Sequence, residues 1–473
     1  MDRFINRTEE LGFLENQYMS DSAALVVLYG RRRLGKTSLI HEFAKDKPFL
    51  YFLATEEAEH LNMRALKDQI AEYTGDELLA EADLNNWDIL FQTLTKYISD
   101  QKLVLALDEF QYLGKSNPAF PSVFQRIWDQ HLKDKNVMVI LCGSLVHMME
   151  TQTLNYGSPL YGRRTGQIKL RQIDFRHYAE FFDSLSYRKL IERYAVTGGV
   201  PKYIELFGKR KNLFIEIERL VLNRQSFLFE EPVFLLQNEV SDIGSYFSII
   251  KSIAAGNRRL SKICSDLGAR QTNMPKYLKT LIDLDILERE VPVTENNPEK
   301  SKMGLYYIKD NFLSFWFRFV YPEKARLELS STPYVLQKIR DNFIDNHVAF
   351  VYESVCREEM WRMANEGILN FNKLGRWWNN REEIDIVGFD SGGDEIVFGE
   401  CKYWNKLVGT DVFKALLVKK DSVLWKNESR KERFILFSIS GFTKRLRDLA
   451  DSRDDLILFT KPDNFAAGPK MEP

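Results

Sequence analysis

Four uninterrupted apolar runs mark the first third of the chain, at residues 26–29, 48–53, 103–107 and 137–142. Strands that are buried on both faces have this pattern, whereas half-exposed strands alternate apolar and polar residues. Apolar residues at helical spacing lie between the runs, for example in the stretch 66–79. The pattern predicts an α/β fold for this part of the chain.

The first apolar run leads directly into a glycine-rich loop, Gly30-Arg31-Arg32-Arg33-Leu34-Gly35-Lys36-Thr37-Ser38, and then into a helix-forming stretch. The two glycines allow successive backbone N–H groups to point at one anion at the start of a helix. Lys36 is expected to reach the β- and γ-phosphates of a nucleotide, and Thr37 to hold Mg²⁺. The spacing and both flanks therefore predict a phosphate-binding loop for ATP, against the alternative of a simple strand-turn-helix corner.

Polar residues follow two of the other apolar runs. Asp108 is expected to support Mg²⁺ and Glu109 to orient or deprotonate the attacking water, although an acidic pair can also cap a helix. Ser144 is a candidate sensor of the γ-phosphate, and the alternative is a turn that closes a strand. Arg163 and Arg164 could stabilise the transferred phosphoryl group, within the chain or on a neighbouring subunit, or lie in a solvated loop.

These motifs, together with Gly198-Gly199-Val200-Pro201, resemble the prokaryotic and archaeal members of the signal-transduction ATPases with numerous domains, which are relatives of the AAA+ ATPases. The resemblance covers about residues 1–240. It implies a P-loop ATPase core at 1–170 and a helical lid at 171–240, in which Gly199 and Pro201 face the nucleotide.

Three predicted helices at 245–255, 260–267 and 272–284 precede two predicted strands at 286–291 and 304–308. This order is typical of a winged helix-turn-helix, here at 241–322. Four of its basic residues are candidates for contacts with DNA phosphates: Arg258, Arg259, Arg270 and Lys276. In ATPases such modules also serve for packing.

The last third predicts a long helix at 341–366 that carries Glu353, followed by a small sheet. Because neighbouring residues of a strand point to opposite faces, Glu400 and Lys402 share a face, and Asp385 lies on the preceding strand. Two carboxylates and a lysine suit Mg²⁺-dependent hydrolysis of a phosphodiester, with Asp385 and Glu400 as ligands and Lys402 beside the water. A buried ion network is the alternative.

The order of elements with Asp385 and Glu400-x-Lys402 resembles the PD-(D/E)xK nucleases of the restriction-endonuclease-like fold, notably the Holliday-junction-resolvase-like members. The resemblance covers about residues 335–460. It implies that Glu353 corresponds to the acid of the first helix and is a further metal ligand. The fold could also be genuine but catalytically idle.

Bulk properties narrow the picture. A chain of 473 residues is expected to form more than one domain, and its 66 Lys and Arg against 67 Asp and Glu leave any affinity for DNA to local patches. The four cysteines have no Cys-x-x-Cys spacing, so neither a zinc site nor a disulfide framework is indicated. Without an apolar leader or a bilayer-length apolar stretch, we expect a soluble cytoplasmic protein with no membrane partner.

Together these features predict an ATP-hydrolysing switch, with ATP and Mg²⁺ as cofactors, that controls a DNA-binding nuclease and could form a homo-oligomer. One alternative is an ATP-dependent regulator or scaffold that uses an idle nuclease fold for binding. Another is a transcription regulator that binds DNA through Arg270 and Lys276.

Overall fold

The computed structural model of the protein describes residues 4–84, 86–182, 185–208, 212–240 and 242–462. The chain divides into two compact units. The first contains Met1–Gln172 and Val200–Glu205, and the second contains Ile173–Gly199 and Leu206–Pro473.

The first unit is built on a parallel five-stranded sheet in the order β2-β3-β4-β1-β5. Its strands are β1 Ala24–Tyr29, β2 Phe49–Leu53, β3 Leu103–Asp108, β4 Val137–Gly143 and β5 Gly166–Lys169. Its helices are α1 Thr8–Tyr18, α2 Lys36–Phe43, α3 Glu59–Thr74, α4 Glu77–Glu81, α5 Trp87–Thr95, α6 Gln111–Ser116, α7 Phe120–Ile127 and α8 Val146–Met149.

The predicted apolar runs are four of these strands, and every residue of β1, β3 and β4 is buried. Strand β5 has no such run: only Ile168 of its four residues is buried. It lies at the edge of the sheet, where one-sided pairing with β1 requires no apolar sequence.

The second unit begins with short helices: α9 Phe175–Tyr178, α10 Tyr187–Thr197, α11 Pro201–Phe207, α12 Leu213–Ile217 and α13 Phe227–Gln237. Helix α11 starts within the segment assigned to the first unit and ends in the second. Three further helices, α14 Ile243–Ala254, α15 Leu260–Leu267 and α16 Met274–Asp283, are followed by the antiparallel pair β6 Leu287–Glu290 and β7 Leu305–Ile308. All five elements lie within three residues of the predicted bounds.

Helices α17 Asn311–Phe315, α18 Lys324–Glu328, α19 Thr332–Phe343 and α20 Ala349–Asn365 come next. A π-helical turn, Ile344–Val348, joins α19 to α20, so the helical stretch begins earlier than predicted. The remaining elements are β8 Lys373–Trp378, β9 Glu383–Phe389, β10 Glu395–Lys402, α21 Thr410–Lys419, β11 Lys431–Ser438, α22 Lys444–Asp451 and β12 Leu456–Phe459.

The last five strands form one mixed sheet in the order β12-β11-β10-β9-β8. Pairing is antiparallel from β8 to β10 and parallel from β10 to β12. One face is covered by apolar residues of α21 and α22, among them Phe413, Leu416 and Leu446. Glu400 of β10 pairs with Leu436 of β11, and Asp385 of β9 lies at the irregularity in the pairing of β9 with β8.

Glu358 of α20 is expected to make the stability of the second unit depend on pH. Burial, and then the neighbouring Asp174, raise the pKa of Glu358 from 4.5 to about 8. The folded protein therefore keeps the proton over a range in which the unfolded chain loses it, so the free energy of unfolding falls as pH rises from about 4.5 to about 8. Glu358→Gln should flatten this slope in urea unfolding at about pH 5 and about pH 8. An unchanged slope would contradict the assignment.

None of the helices in the described ranges combines the length and apolar character that crossing a membrane requires.

Candidate functional sites

The loop after β1 has the backbone that a phosphate cradle requires. Gly30 has a φ of 152°, and a Cβ there would lie 2.5 Å from the Leu170 carbonyl oxygen. Gly35, the residue before α2, has a φ of 87°, in the left-handed region that favours glycine. The loop therefore needs glycine at Gly30, where a side chain would clash with Leu170. It leads into the free N–H groups of the first turn of α2.

Lys36 lies over this loop. Its Nζ donates to the carbonyl oxygens of Gly30 at 2.8 Å and Arg31 at 3.0 Å. The side chain is buried, and this burial lowers the pKa of Lys36. A buried ammonium beside a glycine-containing loop at a helix N-terminus is suited to binding phosphate oxygens.

Thr37 and Asp108 meet beside the loop, as the sequence predicts. Thr37 Oγ1 donates to Asp108 Oδ2 at 2.8 Å, and the Asp108 side chain is buried at the end of β3. A hydroxyl and a carboxylate oxygen at this separation are the hard oxygen donors that Mg²⁺ prefers. The pair therefore fits the ion implied by the loop.

Tyr51 is a member of this site that sequence reasoning missed. Its hydroxyl donates to the same Asp108 Oδ2 at 2.8 Å, and burial, with Asp108 next, raises the pKa of Tyr51. Strand β2 pairs with β3 so that Tyr51 lies opposite Ala106, two residues before Asp108. A tyrosine within an apolar strand gives no signal of this contact before the strand order is known.

Tyr51→Phe is expected to lower kcat for ATP hydrolysis by about tenfold or more, because groups that orient a metal-binding carboxylate typically contribute that much. The change removes one hydroxyl and preserves the ring that packs against His41 at 5.0 Å. Steady-state ATPase assays would measure the loss, with Tyr73→Phe, on the exposed face of α3, as the control. Equal rates for Tyr51→Phe and wild type would show that Tyr51 does not orient Asp108.

Glu109 and Ser144 also come together. Glu109 has a φ of 53°, and its Oε2 accepts from Ser144 Oγ at 2.7 Å and from Gln111 Nε2. Strand β4 lies between β1 and β3, so Ser144, the residue after β4, reaches the carboxylate that follows β3. This geometry holds Glu109 as an oriented acceptor next to the Lys36 and Thr37 site.

The other loop residues have mainly structural contacts. Arg32 Nη2 donates to Tyr112 Oη at 2.9 Å, and the Leu34 carbonyl accepts from Arg7 Nη2 at 3.3 Å. Arg31 is buried, Arg33 is half-buried with its pKa lowered by burial, and Ser38 is exposed in the first turn of α2. Arg7 also donates to the Arg171 carbonyl at 2.6 Å. Arg7 therefore links the segment before α1 to the phosphate loop, a contact that was not predicted from the sequence.

The two residues that the family resemblance assigns to the lid differ in their surroundings. Pro201 lies beside the loop in the first unit, with its Cγ 4.0 Å from where a Cβ on Gly35 would stand. Gly199 belongs to the second unit, where its carbonyl accepts from Ile173 N at 2.8 Å. A Cβ on Gly199 would lie 1.8 Å from the Ile173 oxygen, so this position requires glycine for backbone packing.

Arg163 and Arg164 have partners away from the phosphate loop. Arg163 Nη2 donates to Asp129 Oδ2 at 3.1 Å, and the Arg164 guanidinium lies 4.7 Å from the Tyr161 ring centre. Both side chains are half-buried in the loop before β5. The described contacts do not include one to Lys36, Thr37, Asp108 or Glu109.

A second polar cluster lies on the C-terminal sheet. Lys402 Nζ donates to Glu400 Oε1 at 2.7 Å and lies 3.8 Å from Asp385 Oδ2. Asp385 Oδ2 accepts from the Cys401 backbone N–H at 2.9 Å. Lys419 of α21, missed by sequence reasoning, donates to Glu400 Oε1 at 3.1 Å. The predicted trio is therefore brought together, with a second lysine added by the tertiary packing of α21.

Two further carboxylates and a lysine act on Asp385. Burial, and then the carboxylates of Glu353 and Glu400, raise the pKa of Asp385 to about 7. Burial lowers the pKa of Lys402, but Asp385 and Glu400 outweigh it and raise that pKa. A cation at the two carboxylates would relieve their repulsion, so the donor pair of Asp385 and Glu400 fits Mg²⁺.

Glu353 does not join these two carboxylates as a ligand set. Its Oε2 accepts from Arg376 Nε at 3.1 Å and also from Arg376 Nη2. Arg376 lies 3.6 Å from Glu290 of β6, and its side chain is 3% exposed. In the described ranges, no group of three or more His, Cys, Asp or Glu side chains is placed to hold one metal ion. The resemblance implies that Glu353 binds a metal ion, whereas in the structure Glu353 pairs with the buried guanidinium of Arg376.

Arg376→Met is expected to lower the free energy of unfolding by about 3 kcal/mol, the lower end for a buried pair, because it leaves the half-buried Glu353 without its partner. Urea unfolding would measure the change. Arg381→Met, in the exposed turn between β8 and β9, should have an effect within about 0.5 kcal/mol. The double variant with Glu353→Leu should recover stability, since neither charge then remains unpaired. A double variant as unstable as Arg376→Met would contradict this explanation.

The basic residues near α15 and α16 divide into two groups. Arg259, Arg270 and Lys276 are exposed, and α16 buries Met274, Leu278 and Leu281 on its other side. Arg258 instead lies between aromatic rings, 4.5 Å from Tyr307 and 4.7 Å from Phe350. Arg258 is therefore half-buried and packs against aromatic rings, and its contact with a DNA phosphate stays a prediction.

Residues 4–207 match a protein-family model described as an ATPase domain predominantly from Archaea. Residues 316–415 match one described as "Archaea bacterial proteins of unknown function". The uncharacterized ATP-binding protein MJ0423 of Methanocaldococcus jannaschii is 54% identical over 44 residues, 9% of this chain and 75% of that protein.

Among solved structures, the Walker-type ATPase PABY2304 of Pyrococcus abyssi shares the fold, with a TM-score of 0.50 and 20% identity. The match covers 67% of this chain and 96% of that one. The uncharacterized protein MJECL04 of Methanocaldococcus jannaschii is 35% identical over 417 residues, 87% of this chain and 90% of that protein. The chain is thus a P-loop ATPase and belongs to the same family as MJECL04.

Proposed function

We propose that the protein is an ATP-driven switch whose C-terminal part cleaves DNA with Mg²⁺. The observation that carries the proposal is the convergence of Asp385, Glu400 and Lys402 on adjacent strands of a chain that also has an ATPase site. We assign the ATPase core to 1–170, the lid to 171–240, a winged helix to 241–322 and the nuclease-like domain to 335–460.

In the ATP reaction, water attacks the γ-phosphorus, and the bond from phosphorus to the bridging oxygen of ADP breaks. Thr37 and Asp108 would hold Mg²⁺, which neutralises charge on the phosphates when it is bound. Glu109, oriented by Ser144, accepts the proton of the water, and Lys36 stabilises charge on the γ-phosphate oxygens. We assign the stabilisation of the remaining charge to Arg163 or Arg164, in this chain or in a neighbouring copy.

In the nuclease reaction, water attacks a DNA phosphorus, and one ester P–O bond breaks to leave a phosphate end and a hydroxyl end. Asp385 and Glu400 would hold Mg²⁺, which supplies a Lewis acid and lowers the pKa of bound water. Lys402 lies between both carboxylates, where its ammonium can orient the water and stabilise charge on the pentacoordinate phosphate.

DNA contact is assigned to the exposed basic side of the winged-helix part. Arg259, Arg270 and Lys276 are exposed there, whereas the loop after β6 donates from Val293 N to the Arg376 carbonyl at 2.9 Å. We therefore assign the phosphate contacts to these three exposed basic residues at and near α15 and α16. Such contacts weaken as salt increases, because each releases counterions from DNA.

The test is cleavage of labelled duplex, single-stranded and branched DNA by the full chain, with Mg²⁺ or with EDTA, and with or without ATP. We expect Mg²⁺-dependent cleavage of at least one substrate that is altered by ATP and absent in Glu400→Gln. Cleavage retained by Glu400→Gln would indicate a contaminating nuclease and overturn the assignment. If no substrate is cleaved while ATP turnover is normal, the nuclease assignment is also overturned.

A second candidate is an ATP-dependent regulator or scaffold that uses an idle nuclease fold for binding. The observation in its favour is the complete pairing of the acids, with Glu353 bonded to Arg376 and Glu400 bonded to Lys402 and Lys419. This candidate predicts DNA binding without cleavage, and binding unchanged when Mg²⁺ is removed.

A further inference from the structure

The residue after Lys402 is held by helix α10. The Tyr403 hydroxyl lies 3.2 Å from both the Arg188 carbonyl oxygen and Glu192 Oε1. The Arg188 guanidinium lies 5.1 Å from the Tyr403 ring centre. Tyr403 is buried, so this contact is part of the packing of the second unit and not a surface encounter.

Arg188 also fixes the segment that follows. It donates to Asn405 Oδ1 at 2.9 Å, to the Trp404 carbonyl at 3.3 Å and to Ser440 Oγ at 2.7 Å. Ser440 comes two residues after β11, whose neighbour Ile439 donates from its N–H to the Lys402 carbonyl at 3.3 Å. One guanidinium thus connects α10 to the segments that follow β10 and β11, beside Lys402.

The C-terminal end of α10 is joined to the ATPase unit by a short covalent connection. The helix runs for 11 residues to Thr197, and only Gly198 and Gly199 separate it from Val200–Glu205 of the ATPase unit. Within that unit Pro201 lies beside Gly35 of the phosphate loop. The Gly199 carbonyl accepts from Ile173 N at 2.8 Å, and a Cβ on Gly199 would have no room beside Ile173.

We propose that α10 is the coupling element of the protein, through which the state of the phosphate loop at Gly35 and Pro201 sets the position of the Lys402–Asn405 segment by way of Arg188. This inference rests on the proposed function, since it names the regulation of the C-terminal site. An α-helix transmits a shift along its axis because its backbone hydrogen bonds resist stretching, and coupling requires two arrangements that the two sites favour differently.

The test measures hydrogen–deuterium exchange of the full chain with and without a non-hydrolysable ATP analogue. In wild type we expect exchange in peptides covering residues 400–406 to change by about fivefold or more, a usual size for coupling between sites. In Arg188→Ala this response should be lost, while peptides covering 30–38 still respond to the analogue. Arg188→Lys should also lose most of this response, because a lysine ammonium cannot reproduce the planar geometry with which the guanidinium donates to three separate oxygens.

Lys189→Ala is the matched control, since Lys189 is the next residue of α10 and is exposed. It should respond as wild type does. A response at 400–406 that survives in Arg188→Ala, or that is missing in wild type, would overturn the inference. A response that is lost equally in Lys189→Ala would also overturn it.

The exchange experiment separates this inference from the nuclease assignment. If the chain cleaves DNA, Arg188→Ala should still cleave with Mg²⁺ but should no longer respond to ATP. If no DNA is cleaved, the nuclease assignment fails, and the exchange at 400–406 still decides whether α10 couples the two regions.

Discussion

Lys36→Ala is expected to lower kcat/KM for ATP hydrolysis by about 10²–10³-fold, the usual loss when one preorganised group that stabilises transition-state charge is removed. The Lys36 ammonium is buried and donates to two loop carbonyl oxygens at 2.8 and 3.0 Å. In Lys36→Ala, bulk solvent therefore does not replace its positive charge at the phosphates. Phosphate release under saturating and limiting ATP would measure kcat and KM separately.

Two variants complete the ATPase experiment. Glu109→Gln should bind a fluorescent ATP analogue as wild type does but turn over slowly, because the amide cannot accept the water proton. Lys45→Ala, whose side chain is exposed and paired with Glu42, should retain full activity. Rapid hydrolysis by Lys36→Ala would show that the phosphate loop is not the site of turnover.

Lys402→Ala is expected to reduce Mg²⁺-dependent DNA cleavage by about 100-fold or more, since it removes the cation between two carboxylates at the proposed centre. Lys402 Nζ lies 2.7 Å from Glu400 and 3.8 Å from Asp385, so its loss also increases the repulsion between these acids. Single-turnover cleavage of the substrate that wild type prefers would measure the rate of the chemical step.

The matched control is Lys414→Ala, on the exposed side of α21, which should cleave as wild type does. Lys419→Ala should have an intermediate effect, because Lys419 contacts Glu400 but not Asp385 in the described contacts. Cleavage at the wild-type rate by Lys402→Ala would remove Lys402 from the mechanism.

Sequence alone predicted the elements that depend on local pattern. The continuous apolar runs are β1 to β4, and the alternation on β10 correctly places Glu400 and Lys402 on one side with Cys401 on the other. The meeting of Thr37 with Asp108 was also predicted, from their shared role at Mg²⁺. The contact of Ser144 with Glu109 was not predicted, although each residue follows a strand whose carboxyl end lies at the same edge of the parallel sheet.

Contacts that depend on packing between distant elements were not predictable. Tyr51 needed the pairing of β2 with β3, and Lys419 needed the placement of α21 on the sheet. Glu353 is the clearest case, because a carboxylate on a helix can meet a metal or a guanidinium, and only the tertiary structure shows that Arg376 is there. Strand β12 was not predicted, although Leu456–Phe459 is a short continuous apolar run.

The interleaving of the two units along the chain has a consequence for inheritance. The ATPase unit stops at Gln172 and resumes for Val200–Glu205, and the archaeal ATPase family match likewise continues to residue 207. A recombination event at residue 172 would deprive the recipient of Pro201, and one at residue 207 would carry α10 into its new setting. Gene fusions in this family should therefore exchange α10 together with the ATPase, and surviving chimeras should keep the acceptors of the Arg188 guanidinium, such as Asn405 and Ser440.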